Sequence, residues 1–402
     1  METLKLIINF FEIIMFGYLG ITVLYLLFFA LVGFIPNIKP LKNSNKNRKI
    51  AVLIPGYKED MVIIDVAQKA LEQKYPKEKF DVVIIADSFA QTTLSKLKTM
   101  PLKLVEVSFK VSTKAKALNR AMKVIGDNYD VALVLDADNI MEPDFLAKIN
   151  ASFNSGYSII QGHRVAKNVN NSFAILDAIS EEINNYIFRK AHRSVGLSAA
   201  LIGSGMAFEY KLFKDIMIDI DAVGGFDKQL EMHLLKNNYT IEYIENAIVE
   251  DEKVQKSEVF ANQRRRWLSA QFIYFGKNIG SAFVHLFTKG NVDYFDKVIQ
   301  MGQLPRIILL GLIGIITIFY GVVTLLLPYQ YYIFYFSFLQ WAVLLLFITL
   351  ALLLSVPKKF YNKSTLNAIL TLPKGFILMF VSMLRFKGAN KKFIHTQHGQ
   401  TD

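Results

Sequence analysis

The sequence predicts an α/β protein with a mostly parallel, Rossmann-like sheet, joined to α-helical transmembrane segments. Three observations carry this. Short Val- and Ile-rich runs alternate with helix-patterned stretches between Ile50 and Leu135. Those runs are apolar on both faces, as strands of a covered parallel sheet are. Charge-free stretches of membrane-spanning length flank a charged middle segment.

The bulk properties agree. With 402 residues the chain exceeds one typical core, so one large domain plus additional elements is expected. Hydrophobic residues make up 52% and Phe alone numbers 32, high for a soluble enzyme and low for a fully embedded chain. The formal charge is +12. No nucleic-acid module accompanies it, so membrane lipids or an anionic substrate are the expected partners, and nucleic acid is not. The chain has no Cys. That excludes disulfides, thiolate metal sites and a Cys nucleophile.

Taken in order, the first element is the charge-free run Ile13 to Ile35, long enough to cross a hydrocarbon layer of roughly 30 Å as one helix. A signal peptide has a basic leader and a shorter apolar core. Here Glu12 sits in the leader and Lys- and Asn-rich sequence follows, so an uncleaved anchor over 1–38 is expected. Lys39 to Arg48 is a basic linker. Ile50 to Pro55, Phe80 to Ala86, Leu102 to Val107 and Val131 to Leu135 read as strands. Asp60 to Gln73 and Lys114 to Ile125 have helical spacing. They open a domain expected over 39–303, with interfacial helices at its end.

Ile307 to Leu327 and Tyr329 to Val356 are again free of charge, broken at Leu327-Pro328-Tyr329, and predict a transmembrane hairpin over 304–357. Leu366 to Leu384 is interrupted by Pro373-Lys374-Gly375, which suits an in-plane or re-entrant helix within a basic tail over 358–402. Lys39, Lys42, Lys46, Arg48 and Lys49 follow the first span; Lys358, Lys359 and Lys363 follow the third. The positive-inside rule then predicts a cytoplasmic middle and C-terminus and an outside N-terminus. The expected location is a bacterial inner membrane.

In sheets of this kind ligands gather beyond the C-terminal strand ends. Glu59, Asp87, Asp136 and Asp138 fall there. Asp136-Ala137-Asp138 sets two carboxylates just past a buried strand, a suitable pair for Mg²⁺ or Mn²⁺ shared with substrate phosphates. The same spacing also occurs in ordinary turns and caps. Gln263-Arg264-Arg265-Arg266-Trp267 is less ordinary: fixed guanidinium forks suit a diphosphate, and Trp offers a flat face to a sugar. A lipid-binding juxtamembrane patch is the plainer alternative. There is no internal repeat, no Walker loop, no Gly-x-Gly-x-x-Gly turn and no His pair at zinc spacing.

Together these residues resemble the family 2 glycosyltransferases, especially the membrane-bound branch with the cellulose, hyaluronan and ceramide glycosyl synthases. The resemblance covers roughly Ile50 to Trp267 and implies a GT-A-like domain. Val52-Leu53-Ile54-Pro55-Gly56-Tyr57-Lys58-Glu59 looks like the family's first strand and nucleotide loop, with Gly56 and Lys58 in place of Ala and Asn. Asp87 looks like the uracil-side Asp, and Lys114 to Asn119 like the Lys and Ala-Leu-Asn segment. Asp136 and Asp138 look like the metal motif, and Gln263 to Trp267 like the terminal signature. The resemblance thus implies nucleotide-sugar binding by Pro55, Tyr57, Glu59, Asp87, Lys114, Asn119, Asp136, Asp138, Arg264 and Arg266. Gln263 and Arg265 complete the signature. Gln161, Gly203, Ser204, Gly205 and Trp267 resemble acceptor-side segments. His163 has no second His or Cys nearby and is not expected to ligate metal.

The family's general base sits in a Glu-Asp pair at a helix start. Gly224-Gly225-Phe226-Asp227 occupies that position, with Phe226 in place of Glu. Asp227 keeps the carboxylate and Glu231 follows one turn later on the same face. Asp227 is favoured as base, with Glu231 as alternate and a helix cap as the structural reading of Asp227. Glu250-Asp251-Glu252 reads as a solvated turn, with a contribution to the metal site as the alternative. The implied activity is inverting transfer from a nucleotide sugar, with UDP as the expected carrier, to a polysaccharide, glycan or lipid acceptor. A polyprenyl-phosphate transferase, which needs no base, and a non-catalytic sugar-nucleotide sensor are the alternatives.

Overall fold

The computed structural model describes residues 2–36, 46–222, 224–253, 257–327 and 333–384. Lys39, Lys42, the Pro328-Tyr329 part of the predicted hairpin turn and the tail from 385 onward lie outside the described residues.

The chain begins with α1 (Glu2–Val32) and then enters an alternating run: β1 (Ile50–Tyr57), α2 (Ile63–Leu71), β2 (Phe80–Asp87), α3 (Gln91–Lys98), β3 (Lys103–Val107), α4 (Lys114–Ile125) and β4 (Val131–Val134). All four predicted strands and both predicted helices of this half are present, with α4 at its predicted bounds. Then come β5 (Ile140–Met141), α5 (Phe145–Asn154), β6 (Ile159–Ala166) and α6 (Ser172–Asn185). A π-helical turn (Tyr186–Ala191) runs on into the short α7 (His192–Ser194). β7 (Met206–Glu209), α8 (Tyr210–Met217), α9 (Phe226–Lys236) and β8 (Glu242–Asp251) complete the sheet region.

The strands form one eight-stranded sheet in the order β3-β2-β1-β4-β7-β6-β8-β5. β1 to β4 are parallel; β7 and β5 run against their neighbours. The sheet is therefore mixed but mostly parallel. Alternation along a strand splits its side chains between two cores. Leu53, Val83 and Ile85 meet Leu118 of α4, Phe213 of α8 and Leu230 of α9 on one face. Val52, Ile54 and Ile84 meet Val66 of α2 and Ile149 of α5 on the other. Helices on both faces explain why the strands read as continuous apolar runs.

The remaining helices are α10 (Ser257–Lys289), α11 (Val292–Met301), α12 (Arg306–Leu326), α13 (Phe338–Leu354), α14 (Lys363–Ile369) and α15 (Leu372–Leu384). Among the described residues α1 and α12 are long and apolar enough to cross a membrane, and α14 with α15 make a third candidate if their 47° bend lies within one span. They share a core with the sheet domain: Val23 of α1, Ile313 of α12 and Trp341 of α13 pack with Ile183 and Ile187.

Three details differ from the sequence reading. Glu12 is not in a leader before the first helix but well inside α1, where it is 4% exposed. Its carboxylate accepts from the Tyr320 hydroxyl of α12 and from the backbone N–H groups of Tyr335 and Phe336, at 2.8 and 3.1 Å for the last two. Those bonds satisfy a charge that a bilayer would otherwise penalise. They also hold the segment ahead of α13, whose Ser337–Gln340 capping box starts the helix at Phe338. The third predicted span, Tyr329 to Val356, has a described helix of 17 residues, Phe338–Leu354, at the short end of the roughly 17–25 that cross a bilayer. The interruption in Leu366 to Leu384 falls just before Leu372, and Pro373 sits in the first turn of α15, where a missing N–H costs nothing.

Candidate active site

The C-terminal ends of β1, β2 and β4 open into a cleft of about 1300 Å³. Pro55, Tyr57 and Glu59 line it from β1 and its loop, Asp87 from β2, Lys114 from α4, and Asp136 with Asp138 from beyond β4. The register pairs Tyr57 with Asp87, so these two residues, both expected from the sequence to contact the nucleotide, are strand neighbours. From the other side come Gly203, Asp227 and Glu231, and from α10 Gln263, Arg264, Arg266 and Trp267. Segments far apart in sequence thus reach one cavity.

The carboxylate pair is held by specific bonds. Lys114 Nζ donates to Asp136 Oδ1 and, at 2.6 Å, to the Gly203 carbonyl. The Asp136 N–H donates to Ser204 Oγ at 2.9 Å. Asn139 Nδ2 donates to Asp138 Oδ1 at 3.2 Å and to Asp251 Oδ1 at 3.0 Å. Two carboxylates with open cleft beside them fit a hard cation that completes its shell from phosphate and water oxygens. Among the described residues no three metal-ligating side chains converge, so such an ion would lean on its substrate.

α9 carries the two base candidates into unlike settings. Gly225, not Asp227, is the N-cap, and it is left-handed with φ +72°. A Cβ there would stand 2.8 Å from Ala270 Cβ of α10, so glycine is what lets α9 lie against that helix. Asp227 therefore sits in the first turn without capping. Its Cβ lies beside Gly203, and its carboxylate has no hydrogen-bond or ion-pair partner among the described residues. Glu231 is 1% exposed. It accepts from the Leu201 N–H at 2.9 Å and pairs with Lys297 Nζ of α11 at 3.2 Å. Phe226, in the place of a second carboxylate, carries Lys114 Nζ 5.7 Å from its ring centroid.

Several predicted residues stand behind the cleft rather than on it. Gln161 is wholly buried; its Nε2 donates to the Ser204 carbonyl at 3.0 Å and its Oε1 accepts from the Ile202 N–H at 3.1 Å. It braces the Gly203-Ser204-Gly205 turn. Ser204 is likewise buried, Gly205 packs on Val249, and only Gly203 of that turn lines the cavity. Asn119 Nδ2 donates to the Met217 carbonyl at 2.7 Å, tying α4 to α8. Arg265 is not among the lining residues either. These positions follow from geometry: neighbours along a turn or helix point in different directions.

The signature helix faces the cleft with two arginines. Arg264 pairs with Asp177 of α6 and lies 4.6 Å from the Trp267 ring centroid. Trp267 keeps 40% of its surface exposed, enough to stack on a ligand.

Sequence reasoning missed a buried ion cluster on the same wall. Glu250-Asp251-Glu252 is not a solvated turn: Asp251 ends β8 and pairs with Lys253 at 2.7 Å. Arg164 donates to Glu181 at 2.9 Å, and Arg189 faces the same carboxylate at 3.3 Å. Burial alone would raise the Glu181 carboxyl, but Arg164, Lys253 and Arg189 hold it well below the usual carboxylate range. Burial would lower Lys253, and Asp251 with Glu181 raises it instead. His163 Nε2 lies 3.0 Å from Glu182 Oε2. The only local signal was an acid–base run ahead of α10; the partners lie on β6 and α6.

A polar cleft at the strand ends of such a sheet, with paired carboxylates and arginines, is the architecture of a GT-A-type glycosyltransferase. A family model described as "Glycosyltransferase like family 2" matches residues 47–270, more than half of the chain, and the chain belongs to that family. A Methanococcus voltae protein is 24% identical over 215 residues: dolichyl N-acetyl-alpha-D-glucosaminyl phosphate 3-beta-D-2,3-diacetamido-2,3-dideoxy-beta-D-glucuronosyltransferase. That match takes in 48% of this chain and 63% of that protein, so the chain spans less than two thirds of this relative. Among solved structures, the mannosyltransferase PcManGT from Pyrobaculum calidifontis, in complex with GDP-Man and Mn²⁺, aligns with a TM-score of 0.54 at 16% identity. The alignment covers 96% of this chain and 99% of that one, a likeness of fold.

Proposed function

We propose that the chain is a membrane-anchored, inverting, metal-dependent glycosyltransferase. It moves a sugar from a UDP-linked donor to a hydroxyl of a lipid-linked or glycan acceptor at the cytoplasmic membrane face. The observation that carries this reading is one cleft lined by Asp87, Asp136, Asp138, Asp227, Arg264 and Arg266 together.

Asp87 and Glu59 hold the nucleotide. Asp136 and Asp138 hold Mg²⁺ or Mn²⁺, which supplies a compensating charge against the diphosphate. Lys114, Arg264 and Arg266 face the leaving group with fixed positive charge, the kind of stabilisation that is usually largest. Asp227 takes the proton of the acceptor hydroxyl. The acceptor oxygen forms its bond to the anomeric carbon as the bond from that carbon to the diphosphate oxygen breaks. The nucleoside diphosphate leaves with the electron pair, and one displacement inverts the centre. The open Asp227 carboxylate favours it over Glu231, which Lys297 and the Leu201 N–H already engage.

The Pyrobaculum protein was crystallised with Mn²⁺, which supports a divalent cation. The Methanococcus relative is named for a dolichyl sugar phosphate, which supports a lipid-linked acceptor. The proposed organisation is an anchor over 1–38, a catalytic domain over 39–303, a hairpin over 304–357 and a tail over 358–402, in an inner membrane with the N-terminus outside.

The test is purified full chain with radiolabelled UDP-sugars, Mn²⁺, and lipid-linked or soluble glycan acceptors. Transfer with inversion is the expected result. UDP binding without transfer to any acceptor would favour a sensor. For topology, a Cys at the exposed Lys110 adds a lone thiol to a chain that has none. Labelling of that thiol by an impermeant reagent from outside would refute the orientation.

A further inference from the structure

The cleft does not end at the polar site. It runs on between α10, α12, α13, α14 and α15, where Ile307, Leu310, Leu352, Leu366, Leu372 and Met379 line it. Its whole volume is about 1300 Å³, against roughly 300–1,000 Å³ for cavities that take a drug-sized molecule. A nucleotide sugar at the carboxylates leaves the apolar end unfilled. The cavity is therefore built for a second, amphipathic ligand.

Arg306 stands on the wall of this cavity at the head of α12. Its Nη2 donates to the Ser180 carbonyl at 3.0 Å and to Ser180 Oγ at 3.2 Å. Its guanidinium carbon lies 5.8 Å from the Phe188 ring centroid. Nη1 is shielded from solvent and has no hydrogen-bond partner among the described residues. Arg164, Arg189, Arg193 and Arg264 each face a carboxylate. Arg306 feels Glu181 only at longer range and makes no ion pair within 4 Å among the described residues. The Thr365 hydroxyl of α14, on the same cavity, is also buried without a partner there. A shielded donor with no acceptor is costly, and an anionic oxygen relieves the cost most effectively.

We propose that this end of the cleft is the binding site for an acceptor lipid that carries a phosphate. Its apolar chain lies among the side chains of α12, α14 and α15. Its phosphate sits on Arg306, with Thr365 as a second donor, and its hydroxyl-bearing head group extends toward Asp227. The proposal rests on the transferase reading of the cleft. A free glycan does not suit the stretch lined by Ile307, Leu310, Leu352, Leu366, Leu372 and Met379, whose side chains offer its hydroxyls no partners. The phosphate is a handle: no bond to it forms or breaks, because the attacking group is the head-group hydroxyl.

The experiment measures equilibrium binding to the full chain in detergent. The probes are a long-chain polyprenyl phosphate, the matched polyprenol, geranyl phosphate and phosphatidylglycerol in mixed micelles. The phosphate is expected to bind about 10-fold or more tighter than the matched alcohol, the scale of one charged hydrogen-bonded contact. Arg306→Gln should bring that ratio to about 2-fold or less, and Arg306→Lys should keep most of it. Met379→Trp should weaken the long-chain phosphate and leave geranyl phosphate unchanged, a readout that survives if Arg306→Gln does not fold. Equal binding of phosphate and alcohol, or an unchanged ratio in a folded Arg306→Gln, overturns the proposal. So does displacement by phosphatidylglycerol mole for mole, which would make this a bulk-lipid site. A parallel titration with UDP and Mn²⁺ separates the two readings. Intact UDP binding with no phosphate preference counts against this site alone; absent UDP binding counts against the transferase reading.

Discussion

The two ends of the cleft are built by different means. At the proposed donor end, Asp87, Asp136 and Asp138 stand at or just past the ends of buried strands whose neighbours fix them. At the membrane end, Arg306, Thr365 and Met379 come from helices that meet only by packing side against side. A strand end turns sequence position directly into spatial position, because its exit from the sheet is set by its own run of apolar residues. A helix surface does so only once its partner is known. The donor end should therefore respond to substitution as chemistry, and the helical walls first as stability.

Asp138→Asn tests the donor end most severely. Turnover should fall by about 10³-fold or more, on the scale of lost leaving-group stabilisation, while the protein stays folded in detergent. Excess EDTA should do the same to the unaltered chain. Full activity in EDTA would remove the metal from this end altogether.

α9 allows the contrast within one helix. Asp227→Asn should lower kcat by about 10²–10⁴-fold with UDP binding retained. Glu231→Gln should leave Lys297 without its buried partner and cost about 3–5 kcal/mol of stability. A drop in unfolding temperature would report it, with kcat per folded molecule changed only a few-fold. Adding Lys297→Met should recover much of that loss. If Glu231→Gln instead abolishes turnover at unchanged stability, the base and the brace have been assigned the wrong way round.

The smallest effect is expected at Glu182, on α6 away from the carboxylate pair. Burial alone would raise its carboxyl, but His163 and Lys359 bring it from 4.5 down to about 2. A depressed folded value means the contribution is complete above the unfolded value and is lost as pH falls through the folded one. Between about pH 4.5 and 2 the unaltered protein should lose roughly 2–3 kcal/mol more than Glu182→Gln does. Parallel stability curves for the two proteins over that interval would show that the pair is not formed in solution.

The sequence alone determined much of the first half of the fold. β1, β2, β4 and α4 were legible because each carries its own period, and the paired Asp and the Arg-rich run because their residues are adjacent. The ion cluster was not legible. Its partners Arg164, Glu181, Arg189, Asp251 and Lys253 lie on β6, α6, the π-helical turn, the end of β8 and just beyond it. Only the parallel pairing of β6 with β8 brings them together. That Gln161 and Asn119 make their bonds behind the cleft was not legible for the same reason. A motif gives order along the chain, but which of its side chains face a cavity depends on what packs behind them. Tertiary structure also separated Asp227 from Glu231. The helical period puts both on one face, and Lys297 and the Leu201 N–H, remote in sequence, take up the second carboxylate and leave the first open. Burial and partnering are properties of the assembled surfaces, and no local pattern encodes them.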